Sequence, residues 1–528
     1  MFVLRRSETL GYLALSLTLF LGLASPVRTQ ASSSVSFDVT GYTITGELPG
    51  NIRNVDSLLA PYTGTFNNTE GIQDAADTLE KALHAKGYTF VRIVIPRQPL
   101  DDGEIELQVL SLTLDKISIS GNQNFGRENI RNSLPSLVHG ESPNRNALAR
   151  NLDVGRVHPS RKEKITFTAS DLPGKVDAQI QVQDQKPSKV FSWLNNTGND
   201  ETGRYRLGLG YQNSNLFDRD HNATLTYTTS PTETSKVDQF GVVYQVPLYE
   251  SGALITVLLS ESDVNSGRVA EFFDVAGKGS VKGLQFTRFF ARKDGYAQQI
   301  ELAINDKLFD NDIDFAGEAL GIDVRSRPLS LQYKGNLRNN KFESDFNLQL
   351  AGNLSSGSHN NRVAYASSRV GASDHWSLIR YGASIRKTIR NWSLSGRFRG
   401  QYSNEPLIGG EQFGVGGSNS IRGFREREVS GDKGYLFQLE AWTPKWGKQP
   451  ARGVIFVEKG HSKLIDPLPG EMGSDSIFGI GAGVSWTFKS RLSMRLDIGY
   501  AVDGVDSANQ GSTRDGDERV HLNLGYQW

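Results

Sequence analysis

Alternating apolar and polar positions dominate the last two-thirds of the chain. From residue 190 to residue 528, short alternating segments are separated by clusters of Gly, Asn, Asp and Ser, and no long helix is indicated. A period of two is typical of β-strands with one apolar face. The clearest segments place Tyr205, Leu207, Leu209 and Tyr211 opposite Arg204, Arg206, Gly208 and Gly210, and Leu492, Met494, Leu496, Ile498 and Tyr500 opposite Ser493, Arg495, Asp497 and Gly499.

The polar faces of these strands carry charges, among them Arg204, Arg206, Arg397, Arg399, Arg495 and Asp497. If the apolar face meets lipid, the charged face lines an aqueous interior, as in a transmembrane β-barrel. Spread over these residues, sixteen strands would leave about 21 residues for each strand and its connection, enough to cross a membrane. We therefore predict a membrane β-barrel of about 16 antiparallel strands over residues 190–528. Alternation alone also permits a soluble β-sandwich or β-helix.

The preceding segment mixes helical and strand patterns and predicts two small α/β modules, at residues 37–112 and 113–186. In the first, Ile72, Ala75, Ala76, Leu79, Ala82 and Leu83 recur at helical spacing and precede two β-rich runs. In the second, Val176, Ala178, Ile180 and Val182 alternate with polar residues. A small sheet of this kind has open edges to which an extended chain can add as a strand. The modules therefore indicate binding rather than catalysis.

The N-terminus has the order of a secretory signal peptide. Arg5 and Arg6 precede an apolar run from Leu10 to Ala24, which Ser25 and Pro26 follow. We predict a signal peptide over residues 1–24, with cleavage as late as Ala31. The alternative is an uncleaved anchor, for which the run is short.

Composition excludes several classes of protein. The chain has no Cys, 58 Lys and Arg against 58 Asp and Glu, and a mean hydropathy of −0.40. These values argue against thiolate metal sites, nucleic-acid binding and a bundle of membrane helices. Neither a nucleophile elbow nor an H-E-x-x-H motif occurs, so we expect no catalytic residues, no metal and no cofactor.

The last strand alternates to the terminus, with apolar residues at Val520, Leu522, Leu524, Tyr526 and Trp528. A closing strand with a terminal aromatic residue resembles the C-terminal recognition signal of bacterial outer-membrane proteins. The resemblance assigns the signal to Leu524, Tyr526 and Trp528 and implies barrel assembly machinery as a partner during biogenesis.

The segment from Gly87 to Leu110 resembles the end of a POTRA module in the TpsB transporters of two-partner secretion, the ShlB/FhaC/HecB group. Gln98, Asp102 and Gly103 fall where that family has a Q-x-L-x-D-G pattern. The unit that opens at Ile117 resembles their second POTRA module. Residues 193–206 resemble their first barrel strands. Some members carry a helix that plugs the barrel, but the short span from Ser25 to Phe37 predicts none here.

A glycine-rich segment, Gly414 to Arg427, lacks the strand, helix and Lys-Ser/Thr ending of a phosphate loop. Its tetrad Ile421, Arg422, Gly423 and Phe424 resembles the loop-six motif of the BamA/TpsB superfamily. The resemblance implies that this loop folds back into the lumen and that its Arg meets the acid of an F-x-D-x-G motif. The matching residues are Phe456, Glu458 and Gly460, with Glu in place of Asp. In a water-filled lumen, we expect the ion pair of Arg422 and Glu458 to contact water and therefore to contribute little free energy.

The resemblance implies an outer-membrane transporter with its modules in the periplasm. Such a protein captures an unfolded exoprotein and secretes it through the barrel; its expected partners are a TpsA-like, β-helical exoprotein and outer-membrane lipid. The alternative is a BamA-like factor that assembles or inserts outer-membrane proteins, although those factors usually carry more than two modules. A passive porin would leave the modules unexplained.

Overall fold

A computed structural model of the chain describes residues 36–50, 54–262, 267–269, 273–275, 278–293, 295–310, 314–315, 318–319, 323–339, 341–447, 450–506 and 511–528. The predicted signal peptide, with both of its cleavage positions, lies outside the described residues. The segment in which a plug helix was not expected lies almost entirely outside them as well.

The first module packs two helices on a three-stranded sheet. Its elements are β1 (Phe37–Val39), β2 (Gly41–Thr45), α1 (Val55–Leu59), β3 (Gly64–Phe66), α2 (Glu70–Ala85), β4 (Val91–Val94) and β5 (Glu104–Ser111). The sheet order is β2-β5-β4, with β2 parallel and β4 antiparallel to β5, while β1 pairs with β3. Strands β2 and β4 are therefore the edges of this sheet.

Helix α2 forms because its apolar residues share one face, and local signals fix both ends. The Asn68 side chain accepts a hydrogen bond from the Glu70 N–H at the start. Gly87, at φ 102°, ends the helix, and the Tyr88 N–H donates back to the Leu83 carbonyl at 3.1 Å. The buried face consists of Ile72, Ala75, Ala76, Leu79 and Leu83.

The second module repeats this plan with β6 (Thr113–Ser120), α3 (Arg127–Asn132), α4 (Arg145–Arg156), β7 (Arg161–Ala169) and β8 (Lys175–Asp184). Its sheet order is β6-β8-β7, so β6 and β7 are the edges. The alternating side of β8 is buried as predicted, with Val176, Ala178, Ile180 and Val182 in the core.

A closed antiparallel barrel follows the modules and confirms the predicted fold class. Among the described residues, sixteen strands pair in chain order, and β24 closes the ring by pairing with β9. A short segment before β16, Val324–Ser326, extends the pairing of β16 with β15. The strands are β9 (Ser188–Asn195), β10 (Arg206–Leu216), β11 (His221–Thr229), β12 (Asp238–Leu248), β13 (Ala253–Ser262), β14 (Gly279–Phe289), β15 (Tyr296–Phe309), β16 (Pro328–Arg338), β17 (Phe342–Asn353), β18 (Ser377–Ile389), β19 (Trp392–Ser403), β20 (Lys433–Trp442), β21 (Arg452–Lys463), β22 (Ser474–Phe488), β23 (Leu492–Asp503) and β24 (Glu518–Gln527).

The barrel wall carries its apolar side chains outward, as the alternation predicts. On β10, Leu207, Leu209 and Tyr211 are exposed, whereas Arg206 and Gln212 are buried on the lumenal side. An exposed apolar band with a polar interior is the pattern of a barrel whose outer surface meets lipid. In the part of the chain that the structure describes, no helix has the length and hydrophobicity needed to cross a bilayer.

The chain enters the barrel from the modules at β9, so the start of β9 marks the periplasmic end. Connections after odd-numbered barrel strands therefore lie at the extracellular end. Three of them matter below: loop five (residues 354–376), which contains α5 (Arg362–Ser368), loop six (404–432) and loop seven (464–473). Loop six contains a short hairpin in which Phe413–Val415 pairs with Val429–Gly431.

A buried ionic cluster binds the second module to the periplasmic end of the barrel. Arg161 of β7 makes two hydrogen bonds to Asp220 in the β10–β11 turn, at 2.9 and 2.7 Å. The Tyr249 hydroxyl of the β12–β13 turn donates to the same carboxylate at 2.7 Å. The imidazole of His158 lies 3.7 Å from Asp220, and burial lowers its pKa to about 4. Module and barrel therefore share one polar core at this joint.

Candidate functional site

Loop six folds back into the barrel lumen and places its tip against the wall. Ile421, Arg422 and Phe424 are at most 1% exposed. Ile421 and Phe424 pack with Val415 of the same loop against apolar side chains of the wall, Leu436, Ile477 and Ala501. The tip is therefore held by a small apolar core as well as by its charge.

Arg422 lies at the centre of three carboxylates from three different strands. Its guanidinium donates to Glu458 of β21 at 2.5 and 3.0 Å, to Glu440 of β20 at 2.8 Å and to Asp497 of β23 at 3.1 Å. Its backbone N–H also donates to Glu458 at 2.6 Å. The carbon of the guanidinium lies 3.4 Å from the ring centroid of Phe456. The structure thus brings together Arg422, Phe456 and Glu458, which the two sequence motifs singled out.

The expectation that this pair contacts water is wrong. The side chains of Arg422 and Glu458 are 1% and 0% exposed. The neighbouring Ile421 and Phe424 are buried in an apolar cluster, and Gln438 donates to Glu458 at 2.9 Å and to the Ser420 carbonyl at 2.7 Å. A buried ion pair of this kind is costly to break by removing one partner.

Glycines on three adjacent strands allow the tip to lie directly on the wall. A β-carbon on Gly499 of β23 would lie 2.3 Å from the Gly423 nitrogen, and one on Gly479 of β22 would lie 2.5 Å from the Arg422 carbonyl oxygen. Gly460 of β21, the last residue of its motif, faces Val415 and Ile421. Gly423 itself adopts φ 103°, which side chains rarely tolerate.

Sequence reasoning missed several residues of this site. Glu440 and Gln438 were not identified, and Asp497 was assigned to the lumenal face without a partner. His521 of β24 was also missed, although its Nε2 accepts a hydrogen bond from the Gly423 N–H at 3.1 Å. All four alternate with lipid-facing residues, so the sequence predicts that their side chains point into the lumen. It does not predict which strands contact loop six.

The C-terminal residues close the barrel against its first strand. Leu524 stands opposite Leu194 and Tyr526 opposite Ser192 in the β24–β9 pairing, and the Trp528 N–H donates to the Val190 carbonyl at 3.0 Å. The rings of Tyr526 and Trp528 contact each other edge to face, with centroids 4.7 Å apart. This places the predicted assembly signal at the seam of the barrel.

Beside loop six the lumen retains a cavity of about 740 Å³. Val157 of the second module lies at its periplasmic end, and Gly414 and Arg427 of loop six line its other side. Most of its polar lining is uncharged amide and hydroxyl, including Gln245, Gln285, Gln332, Gln349, Thr256 and Ser330. Among the described residues, no group of His, Asp and Glu is arranged to hold a metal ion.

A lipid-facing barrel with a docked loop, a polar lumen and two small modules at one end defines an outer-membrane transporter with periplasmic modules. Comparison with protein families agrees with this class. The model of the haemolysin secretion/activation protein ShlB/FhaC/HecB matches residues 174–485, and that of the ShlB-type POTRA domain matches residues 37–111. The chain therefore belongs to the ShlB/FhaC/HecB family, the TpsB transporters, as its motifs predicted.

Relatives and solved structures of this family resemble the chain over most of its length. The heme/hemopexin transporter protein HuxB of Haemophilus influenzae (strain 86-028NP) is 18% identical over 92% of this chain and 87% of HuxB. The outer membrane transporter CdiB of Dickeya dadantii (strain 3937) is 23% identical over 85% of this chain and 80% of CdiB. The structure of CdiB from Escherichia coli matches with a TM-score of 0.71 at 16% identity, covering 96% and 93% of the two chains.

These findings confirm the predicted location and function. The chain is an outer-membrane transporter of the type that secretes a partner exoprotein, with its barrel in the outer membrane and its POTRA domain in the periplasm. The likeness to BamA-type barrels is more distant: BamA from Haemophilus ducreyi matches with a TM-score of 0.50 at 14% identity. That likeness concerns the fold alone.

Proposed function

We propose that the docked tip of loop six is the closed, resting state of this secretion pore and that Arg422 holds it there. The observation that supports this most is the burial of Arg422 among Glu440, Glu458 and Asp497. A loop held by one guanidinium has two discrete arrangements, docked and released, because a partly withdrawn Arg422 would leave the fully buried Glu458 without its cation, whereas Arg495 of β23 stays bound to Glu440 and Asp497.

The partner passes as an extended chain. The edges β2, β6 and β7 of the two modules would bind its backbone by strand addition, which tolerates varied side chains. Edge β4 is already occupied, because side chains of α2 bind the Ile93 N–H and the Val91 carbonyl. The partner is a TpsA-like exoprotein, and a β-helical one would fold outside the cell. Loop six leaves the lumen when the chain enters. We assign the protein no catalytic activity and no cofactor.

The remaining assignments concern processing and assembly. Residues 1–24 act as a signal peptide that directs the chain to the periplasm. Leu524, Tyr526 and Trp528 act as the signal read by the barrel assembly machinery, after which the apolar wall contacts outer-membrane lipid. Residues 37–112 and 113–186 act as the two substrate-binding modules, and residues 190–528 act as the barrel.

The test is the substitution Arg422→Ala, with Arg425→Ala as the matched control because Arg425 lies on the same loop and is exposed. Chymotryptic cleavage after Phe424, which is fully buried in the docked loop, should become about tenfold faster or more in Arg422→Ala, while the amount of folded barrel is unchanged. The exchange Arg422→Glu with Glu458→Arg should not restore protection, because Glu440 and Asp497 would then face another carboxylate. Parental protection of Phe424 in Arg422→Ala would overturn the proposal, as would loss of the barrel.

A further inference from the structure

An ion pair with a fully buried carboxylate lies at the extracellular end, away from the tip of loop six. Arg369 of loop five donates to Asp432, the last residue of loop six, at 2.5 Å. It also donates to the Leu407 carbonyl at the start of loop six, at 2.8 Å, and to the Ile465 carbonyl of loop seven, at 2.9 Å. One guanidinium thus joins three loops.

The carboxylate of Asp432 joins the same loops from the other side. Asp432 is fully buried. It accepts hydrogen bonds from the backbone N–H groups of Leu407, at 2.8 Å, and Ile465, at 2.6 Å. These contacts are charge-assisted, and they exist only while loops five, six and seven lie together.

An apolar cluster between loop five and the first part of loop six completes the closure. Tyr365 and Trp376 of loop five pack with Leu407 and Ile408 of loop six, and all four are at most 1% exposed. We call this cluster and the pair of Arg369 and Asp432 the roof.

The roof continues directly into the wall of the lumenal cavity. Glu411 of loop six is fully buried and bound by Lys307 of β15 at 2.9 Å and by Arg380 of β18 at 3.3 Å. Lys307 and Arg380 line the 740 Å³ cavity together with Gly410 and Gln412 of loop six. A chain that occupies this cavity therefore meets the roof before it reaches the cell surface.

The geometry points to the pair of Arg369 and Asp432 as a latch on the extracellular exit, distinct from the Arg422 site at the tip. The latch holds loops five, six and seven together when the pore is idle, and the partner leaves only after it opens. A buried Arg–Asp pair suits this task, because separation of the loops hydrates both charges and stabilises the open arrangement. The inference rests on the transporter function of the barrel, but not on the role proposed for Arg422.

The experiment measures access to the cavity from outside, which the absence of native Cys makes simple. Ser330→Cys places one thiol on the cavity wall at little change in size. Intact cells are treated with a maleimide attached to a polyethylene glycol chain. The coiled chain is too large to pass through general porins, but its extended width is similar to that of an exported polypeptide. Ser358→Cys in exposed loop five serves as the reference for complete labelling.

In the Ser330→Cys background, Arg369→Met and Asp432→Asn should each raise the labelling rate about tenfold or more, since each removes the charge on one side of the latch. Arg369→Lys keeps the charge without the forked donors and should give an intermediate rate. Arg362→Met, an exposed Arg on α5, should label like the parent.

Equal labelling of the parent, Arg369→Met and Asp432→Asn would overturn the latch. Loss of the folded barrel in both variants would also overturn it, because the pair would then serve folding rather than access. Arg422→Ala is measured in parallel. Since labelling needs no partner protein, increased access in Arg369→Met supports the latch whatever Arg422→Ala does to secretion.

Discussion

Gly499 determines how closely loop six can approach the barrel wall. Its α-carbon faces the peptide between Arg422 and Gly423, and an added β-carbon would lie 2.3 Å from the Gly423 nitrogen and 2.5 Å from the Arg422 carbonyl carbon. Both of those atoms belong to backbone that the Arg422 hydrogen bonds hold in place, so the contact cannot be relieved by a side-chain rotation.

We therefore expect Gly499→Ala to displace the tip while the barrel still folds. Overpacking of this kind costs about 1–3 kcal/mol, enough to populate the released loop. The measurement is tryptic cleavage after Arg422, which is protected in the docked state, followed by mass spectrometry. The control is Gly396→Ala on β19, where the nearest contact of an added β-carbon is 3.4 Å. Unchanged protection in Gly499→Ala would contradict the seating described for the tip.

Among the elements, we expect the joint between the second module and the barrel to weaken as the pH falls. Burial, the largest cause, lowers the pKa of His158 from its ordinary 6.5 to about 4, while nearby Asp220 raises it and Arg161 lowers it. Between pH 6.5 and pH 4, His158 binds a proton when the module and the barrel are separated but not when they are joined. The joint is therefore fully stable above pH 6.5 and weakens as the pH falls through this window.

We expect the free energy of opening at this joint to fall by about 2 kcal/mol between pH 7.5 and pH 5. Hydrogen exchange of the β7 amides, corrected for the intrinsic rate at each pH, measures this quantity. His158→Gln should remove most of the difference, because glutamine does not titrate. A joint in the parent protein that is equally stable at both pH values would show that His158 does not control it.

The alternation of apolar and polar residues was enough to predict the elements of the barrel and their inward faces. The contact between Arg422 and Glu458 was also anticipated, because both motifs are local in sequence. Glu440 and His521 could not be assigned, because a period of two gives the face of a strand but not its neighbours across the lumen. Glu411, Asp432 and Arg369 could not be assigned because they lie in loops five and six, where no periodic pattern predicts the packing of one loop on another. The burial of Arg422 was missed for a related reason, since loop packing excludes the water that an open barrel would admit.

At the scale of the whole molecule, the structure aligns module, cavity and exit in one path. Val157 of the second module lies at the periplasmic end of the cavity, and the roof lies at its extracellular end. Closure of the barrel uses pairing between β24 and β9 and no residue of the modules. The barrel and the modules therefore have separable tasks.

Deletion of Phe37 to Val182 should leave a barrel that inserts in normal amount but exports no partner. Removal of Arg161 exposes Asp220 to periplasmic water, where a carboxylate needs no partner, so the barrel should not be destabilised. Heat-modifiable migration measures the folded barrel, and the culture medium is assayed for the partner. Export at the parental level by the truncated protein would show that the modules do not capture substrate.

Conductance in planar bilayers measures whether a docked loop six closes a lumen that water can otherwise enter. We expect a current that fluctuates between closed and conducting levels for the full chain. For Arg422→Ala we expect a conducting fraction about tenfold higher, because the tip then loses its hold on three carboxylates. A bilayer that stays sealed at all voltages with both proteins, or an identical conducting fraction for the two, would show that the docked loop does not close a water-filled lumen.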